Sequence, residues 1–252
     1  MTRAGSALRV LDTGAAPAAW NLALDEALWR VFDGTPVWRV YGWRPEALSL
    51  GRFQPLAATL ASIPLPPGTP VLRRSTGGGA IFHHAGELTY SVVVDRRAAG
   101  LPRDVPGSYA ALHGLVARAL GRFGVEAAER GAFGAHPDDA QALCFERRLP
   151  VDLLVAGRKL CGSAQRRRGD VLLQQGSILL TPNPMVPGCL SVADVAVAPY
   201  DRVALAAALA NEAAALLRAP ATPGQPTEAE LALAAEIRAA RYGNAAWTAR
   251  VP

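Results

Sequence analysis

Lysine is almost missing from this 252-residue chain: Lys159 is the one lysine among 26 lysine and arginine residues. Cysteine is scarce too. The three cysteines, Cys144, Cys161 and Cys189, include no CxxC pair, which excludes a disulfide framework and a zinc ribbon and favours a reducing compartment. No apolar run reaches the roughly 20 residues of a bilayer span, since the Ala/Leu-rich stretch from Val203 to Leu217 is interrupted by Asn211 and Glu212. The patch between Met1 and Val10 is too short for a secretory signal. The expectation is a cytoplasmic protein with no membrane partner. With 50% hydrophobic and 19% charged residues, a disordered chain is excluded and a substantial core is affordable.

What the chain has is arginine. The formal net charge is +5, and the arginines cluster at Arg73-Arg74, Arg96-Arg97, Arg147-Arg148 and Arg166 to Arg168, which suits an acidic partner. Aromatics make up only 6% and do not interleave with the arginines, so no nucleic acid is expected. The survival of a single lysine has two readings. It is chance, or position 159 needs a compact ammonium that can give up a proton, which a guanidinium cannot supply.

The pattern of elements is helix, strands, helix, strands, helices. Asn21–Phe32 has a helical period with Asn21 as its cap. Thr35–Tyr41, Ala47–Gly51, Val71–Arg74, Ala80–Phe82 and Glu87–Val94 read as strands. Ser108–Phe123 is a helix capped by Ser108 and closed at Gly124. Val151–Val155, a turn at Ala156-Gly157, Arg158–Gln165 and Val171–Leu180 make an antiparallel meander. Arg202–Arg218 and a segment over residues 227–242 are helices separated by a Pro/Gly linker at 219–226, the second opening on a Thr227/Glu230 capping box. The expected class is α+β, mixed and antiparallel sheets packed with helices on one side, as a single catalytic domain over residues 1–252.

The strongest local signal is RRSTGGGAIFHH, Arg73 to His84. Successive glycines, Gly77, Gly78 and Gly79, let backbone amides approach a ligand, and the arginines supply charge for a carboxylate, a phosphate or an acyl carrier. A glycine-rich hairpin at a sheet edge is the plain alternative. The spacing fits neither a Walker loop nor a GxGxxG fingerprint. His83, His84 and Glu87 lack the helical spacing of an HExxH site, so no metal is expected, and no GxSxG elbow occurs.

Cys144 lies at a junction before a strand. A free thiol with a pKa of about 8.5 is only a few per cent thiolate at pH 7. An ammonium within about 4 Å contributes on the order of 4 kcal/mol at an effective dielectric near 20, enough to lower that pKa by about two units. Cys144 beside Lys159 would therefore be an activated nucleophile; a buried thiol used as a small hydrophobe is the other reading. Cys161 is the rival, on the same strand face as Lys159 by simple alternation.

Taken together, NLALDEAL, RVYGWRPEALSLGRFQP, RRSTGGGAIFHHAGELTYSVVV, CFE, GRKLCGSAQ, LLQQGSILL and RYGNAAWTAR resemble the lipoate–protein ligase A and octanoyltransferase group, whose fold is shared with biotin protein ligases. Within the group the chain looks most like the LipM-type octanoyltransferases. The resemblance implies a cysteine nucleophile at Cys144 and a pKa-lowering lysine at Lys159. It implies octanoyl transfer from acyl carrier protein to a lysine of a lipoyl-domain protein such as glycine-cleavage H protein. The acyl tunnel would be lined by Gly77, Gly78, Gly79, Gly162, Ser163 and Ala164, with His83 as a further substrate-binding residue and Arg73 facing the acidic carriers. No cofactor is needed, because a thioester is already activated. ATP and Mg²⁺ enter only if the chain is instead a lipoate–protein ligase; an amidotransferase between lipoyl domains is the third option.

Overall fold

The computed structural model describes residues 7–129, 143 and 152–251. The strands are β1 (Leu8–Ala16), β2 (Val37–Trp43), β3 (Ala47–Leu50), β4 (Val71–Arg73), β5 (Ile81–His83), β6 (Glu87–Asp95), β7 (Ala128–Glu129), β8 (Leu153–Val155), β9 (Arg158–Arg168), β10 (Val171–Leu179) and β11 (Ala221–Pro223). The helices are α1 (Ala18–Arg30), α2 (Leu56–Ala61), α3 (Val105–Gly121), α4 (Val192–Val195), α5 (Arg202–Leu217), α6 (Glu228–Ile237) and α7 (Ala245–Thr248). A π-helical turn, Arg238–Tyr242, extends α6.

An eight-stranded sheet runs β11-β1-β2-β6-β10-β9-β8-β7, and a three-stranded sheet runs β4-β3-β5. β1 is parallel to both β2 and β11, while β2, β6, β10, β9 and β8 are joined antiparallel. This is the mixed α+β arrangement expected, with one correction: helices cover both faces of the large sheet. Strand alternation explains it, because successive side chains point to opposite faces. Trp38 and Val40 of β2 pack with α3 and α5, whereas Val37, Tyr41 and Trp43 pack with α1 and α6. A strand buried on both sides reads as a continuous apolar run, and every residue of β2 is buried.

Three local expectations are corrected. Asn21 does not cap α1; Pro17 does. The Asn21 amide is buried inside the helix, donating to the Gly42 carbonyl at 2.8 Å and accepting from Arg39 Nη2 at 2.7 Å. α3 starts at Val105 with Asp104 as its cap, because Pro106 sits in the first turn, where no amide hydrogen is needed. The 219–226 segment adds an edge strand, β11, beside β1. The Thr227/Glu230 capping box and the Ala156-Gly157 turn form as read, with φ of 48° and 74° in the turn. No helix among the described residues is long and apolar enough to cross a membrane.

Candidate acyl-transfer site

A cavity opens between the two sheets beneath α1. Leu22, Tyr41, Trp43, Ile81 and Ala164 supply its apolar wall; Ser49, Arg74, Thr76, His83, Gln175 and Ser177 supply polar groups. A largely apolar slot with a few fixed polar groups suits a small, mostly apolar ligand. The polar groups are tied into the scaffold. Arg74 donates to the carbonyls of Gly77 and Gly79 at 2.6 and 2.7 Å, and Gln175 bridges Thr76 to Asp25.

Lys159 is 2% exposed, and its Nζ lies 2.8 Å from Asp152 Oδ2, a carboxylate that is buried as well. β9 bulges here: Leu153 pairs with Cys161 but Leu154 with Lys159, so one residue is inserted. A bulge breaks the alternation. It carries Lys159 onto the face of Gly162, where a β-carbon would meet Lys159 Nζ at 3.0 Å and Cε at 2.8 Å. Glycine at position 162 thus makes room for the ammonium at the cavity wall.

The same bulge corrects the reading of Cys161. Its thiol points into the core on the α3 side, and burial, followed by the Asp152 carboxylate, pushes its pKa far up. Cys144 lies outside the described residues, as do Arg147 and Arg148. Leu143, its predecessor in sequence, is buried and bridges Ala80, directly after the glycine run.

The other expected site residues separate. Gly162, Ala164 and His83 line the cavity. Ser163 points to the opposite face, where it meets the Tyr90 hydroxyl and His113. The glycine run does not wall the cavity. Gly77 lines a neighbouring, more open groove with Trp29, Arg52, Phe53 and Arg166 to Arg168. Gly78 takes φ +87°, and its carbonyl packs so closely on Gly51 that a β-carbon there would lie 1.9 Å away. Arg73 does not face a carrier. It has no exposed surface and donates to the carbonyls of Gly51, Gln54, Thr248 and Val251. Asp152, Ser49, Trp43 and Gln175 were not anticipated as site residues, and Glu87 was weighed only as a metal ligand; the blocks holding Trp43, Ser49, Glu87 and Gln175 marked their neighbourhood.

Residues 17–195 match the family model of the lipoyl protein ligase A/B catalytic domain. The chain belongs to the lipoyl protein ligase A/B catalytic-domain family. Octanoyltransferase LipM of Symbiobacterium thermophilum is 41% identical over 183 residues, covering 68% of this chain and 65% of that protein. Octanoyltransferase LipM of Kyrpidia tusciae is 33% identical, covering 96% of this chain and 98% of the relative. Among solved structures, lipoate-protein ligase A bound with ATP superposes with a TM-score of 0.77 at 21% identity, covering 99% of this chain and all of the other (100%). The bipartite lipoate protein ligase of Thermoplasma acidophilum gives a TM-score of 0.73 at 20% identity, covering 98% of each chain. At that identity the likeness establishes the fold of this family member and nothing narrower.

Proposed function

We propose that this family member is an octanoyltransferase of lipoate biosynthesis. It takes the octanoyl group from acyl carrier protein onto Cys144 as a thioester and passes it to a lysine of a lipoyl-domain protein such as glycine-cleavage H protein. The observation that carries the reading is the lone lysine of the chain, Lys159, buried at Gly162 on the wall of an apolar slot. A buried ammonium stabilises a nearby thiolate through a medium less polar than water. In the first step the Cys144 thiolate attacks the thioester carbonyl, a C–S bond to the enzyme forms, and the carrier leaves as its thiolate. In the second the acceptor amine attacks the enzyme thioester and leaves as an amide. The open groove lined by Arg52 and Arg166 to Arg168 beside the slot suits the acidic surfaces of such carriers. No ATP or metal enters either step, and both partners are soluble proteins of the cytoplasm.

The deciding assay offers octanoyl-acyl carrier protein and H protein without ATP or Mg²⁺. Octanoylated H protein is expected, together with an octanoyl adduct on the enzyme that vanishes in Cys144→Ser. Acylation that requires free acid and ATP would overturn the transferase reading in favour of a ligase. An adduct that persists in Cys144→Ser would move the nucleophile elsewhere.

A further inference from the structure

Two steps on one thioester leave a proton unaccounted for: an amine that attacks a carbonyl must shed one. Lys159 Nζ is engaged with Asp152 Oδ2 at 2.8 Å. A different group on the cavity wall can receive the proton. His83 Nδ1 lies 2.9 Å from Glu87 Oε1, and His83 Nε2 lies 2.8 Å from Ser49 Oγ. Glu87 also accepts from Trp43 Nε1 at 2.9 Å and from the Thr89 hydroxyl at 2.5 Å. Burial pushes its carboxyl up, yet His83 and the hydroxyl donors bring it below the ordinary range, so it is a carboxylate. A carboxylate only accepts, so the Nδ1 proton faces Glu87, and in the neutral imidazole Nε2 turns its lone pair toward Ser49.

The imidazole is fixed in its plane as well. The Trp43 ring stacks on it with centroids 3.7 Å apart and planes 15° from parallel. Ser49 Oγ, donating to Nε2, also accepts from Arg74 Nη1 at 3.2 Å, and both Ser49 and His83 line the cavity. Orienting carboxylate, base and hydroxyl stand in the order and spacing of a hydrolase triad. Ser49 of β3 is paired with Ile81 of β5, and Ala80, next in the chain, bridges Leu143. Two strand spacings, about 10 Å, therefore separate β3 from the residue before Cys144.

We propose that Ser49, His83 and Glu87 form a proton relay that receives the proton of the attacking amine as the acyl group leaves the enzyme. The proposal rests on the preceding one only in requiring that an acyl group in this cavity passes to an amine. As the N–C bond forms and the C–S bond breaks, one proton moves from nitrogen to Ser49 Oγ while the Ser49 proton moves to His83 Nε2. Glu87 stabilises the imidazolium. The proton then returns through Ser49 to the departing sulfur, which leaves as a thiol; the three relay residues are restored, and Cys144 regains its thiolate by releasing to solvent the proton that the carrier thiolate of the first step takes up.

The test separates the two half-reactions by quenched-flow intact-mass spectrometry in wild type, Ser49→Ala, His83→Gln and Ser49→Thr. In Ser49→Ala and His83→Gln, acyl transfer to the lipoyl-domain lysine falls about 100-fold more than acyl-enzyme formation does; Ser49→Thr, which keeps the hydroxyl, restores most of the rate. Hydroxylamine, uncharged at neutral pH, narrows the gap to about fivefold or less, since it needs less help in losing a proton. Equal slowing of both half-reactions, no slowing, or an undiminished gap with hydroxylamine would each overturn the relay. Should wild type form no thioester, the Cys144 reading fails on its own. The relay then stands or falls on overall transfer to protein against transfer to hydroxylamine in the same variants.

Discussion

The ammonium of Lys159 occupies the space that a side chain at position 162 would fill, 3.0 Å from the position of a Gly162 β-carbon. The contact sets the far end of a flexible side chain against open backbone, so the scaffold tolerates a methyl group there while the ammonium does not. Gly162→Ala is expected to lower acyl transfer by tenfold or more and leave the melting temperature within a few degrees of wild type. A large drop in melting temperature with unchanged specific activity would show that Gly162 serves packing alone.

Asp152 holds that ammonium in place. Removing one partner of a buried pair typically costs about 3–5 kcal/mol, because the remaining charge is left uncompensated. Asp152→Asn is expected to destabilise by about that amount in denaturant titration, and Lys159→Met in the same background to recover part of the stability but no activity. Additive losses in the double variant would contradict a coupled pair.

Arg73 is a structural cation. Its guanidinium joins β4 to the carbonyls of Thr248 and Val251, while Trp247 Nε1 donates back to the Arg73 carbonyl at 2.8 Å. Charged hydrogen bonds of this kind contribute about 1.5–3 kcal/mol each, so Arg73→Met is expected to lower the melting temperature by roughly 4–8 °C or more. The KM for the acyl donor should stay within about twofold of wild type in folded protein. A raised KM with normal stability would return Arg73 to carrier recognition.

Glu26 gives the acid limb of stability. Burial raises its pKa, but the Tyr242 hydroxyl and the guanidinium groups of Arg241 and Arg30 bring it below the ordinary 4.5. A carboxylate whose pKa is lowered by folding contributes stability that is present above 4.5 and lost as pH falls through the native value. Glu26→Gln is therefore expected to lower stability at pH 7 and to flatten the loss seen below about pH 4.5 in wild type. Parallel acid limbs in the two proteins would show that Glu26 is not responsible.

Cys161 should be silent in native protein. With its thiol buried and its pKa pushed far up, iodoacetamide at pH 7 is expected to label it only after unfolding, as read by peptide mass spectrometry. Rapid native labelling at Cys161 would require an opening of β9.

Elements with local signals were legible in the sequence: the Thr227/Glu230 box, the Ala156-Gly157 turn and the β-branched run of β6. β1 was not, since LRVLDTGAA trails off into small residues and is held by pairing to β2 and β11, both distant in sequence. The site shows the same division. A residue count singled out Lys159, but the bulge that turns it, and the Asp152 that holds it, depend on the β8–β9 register. Arg73 and Arg74 read as one basic pair. Extended backbone sends them to opposite sides, one to the carbonyls of the C-terminal segment and the other to the cavity. Ser163 fell away from its neighbours Gly162 and Ala164 for the same reason.

Two of the cavity-lining positions, Gly162 and Gly176, are already stripped of side chains, so nothing can be trimmed there. If the slot holds the acyl chain as proposed, a library aimed at longer chains gains room by shortening Leu22, Tyr41, Trp43 or Ile81. Room in this slot is therefore set by its aromatic and branched side chains and not by its glycines.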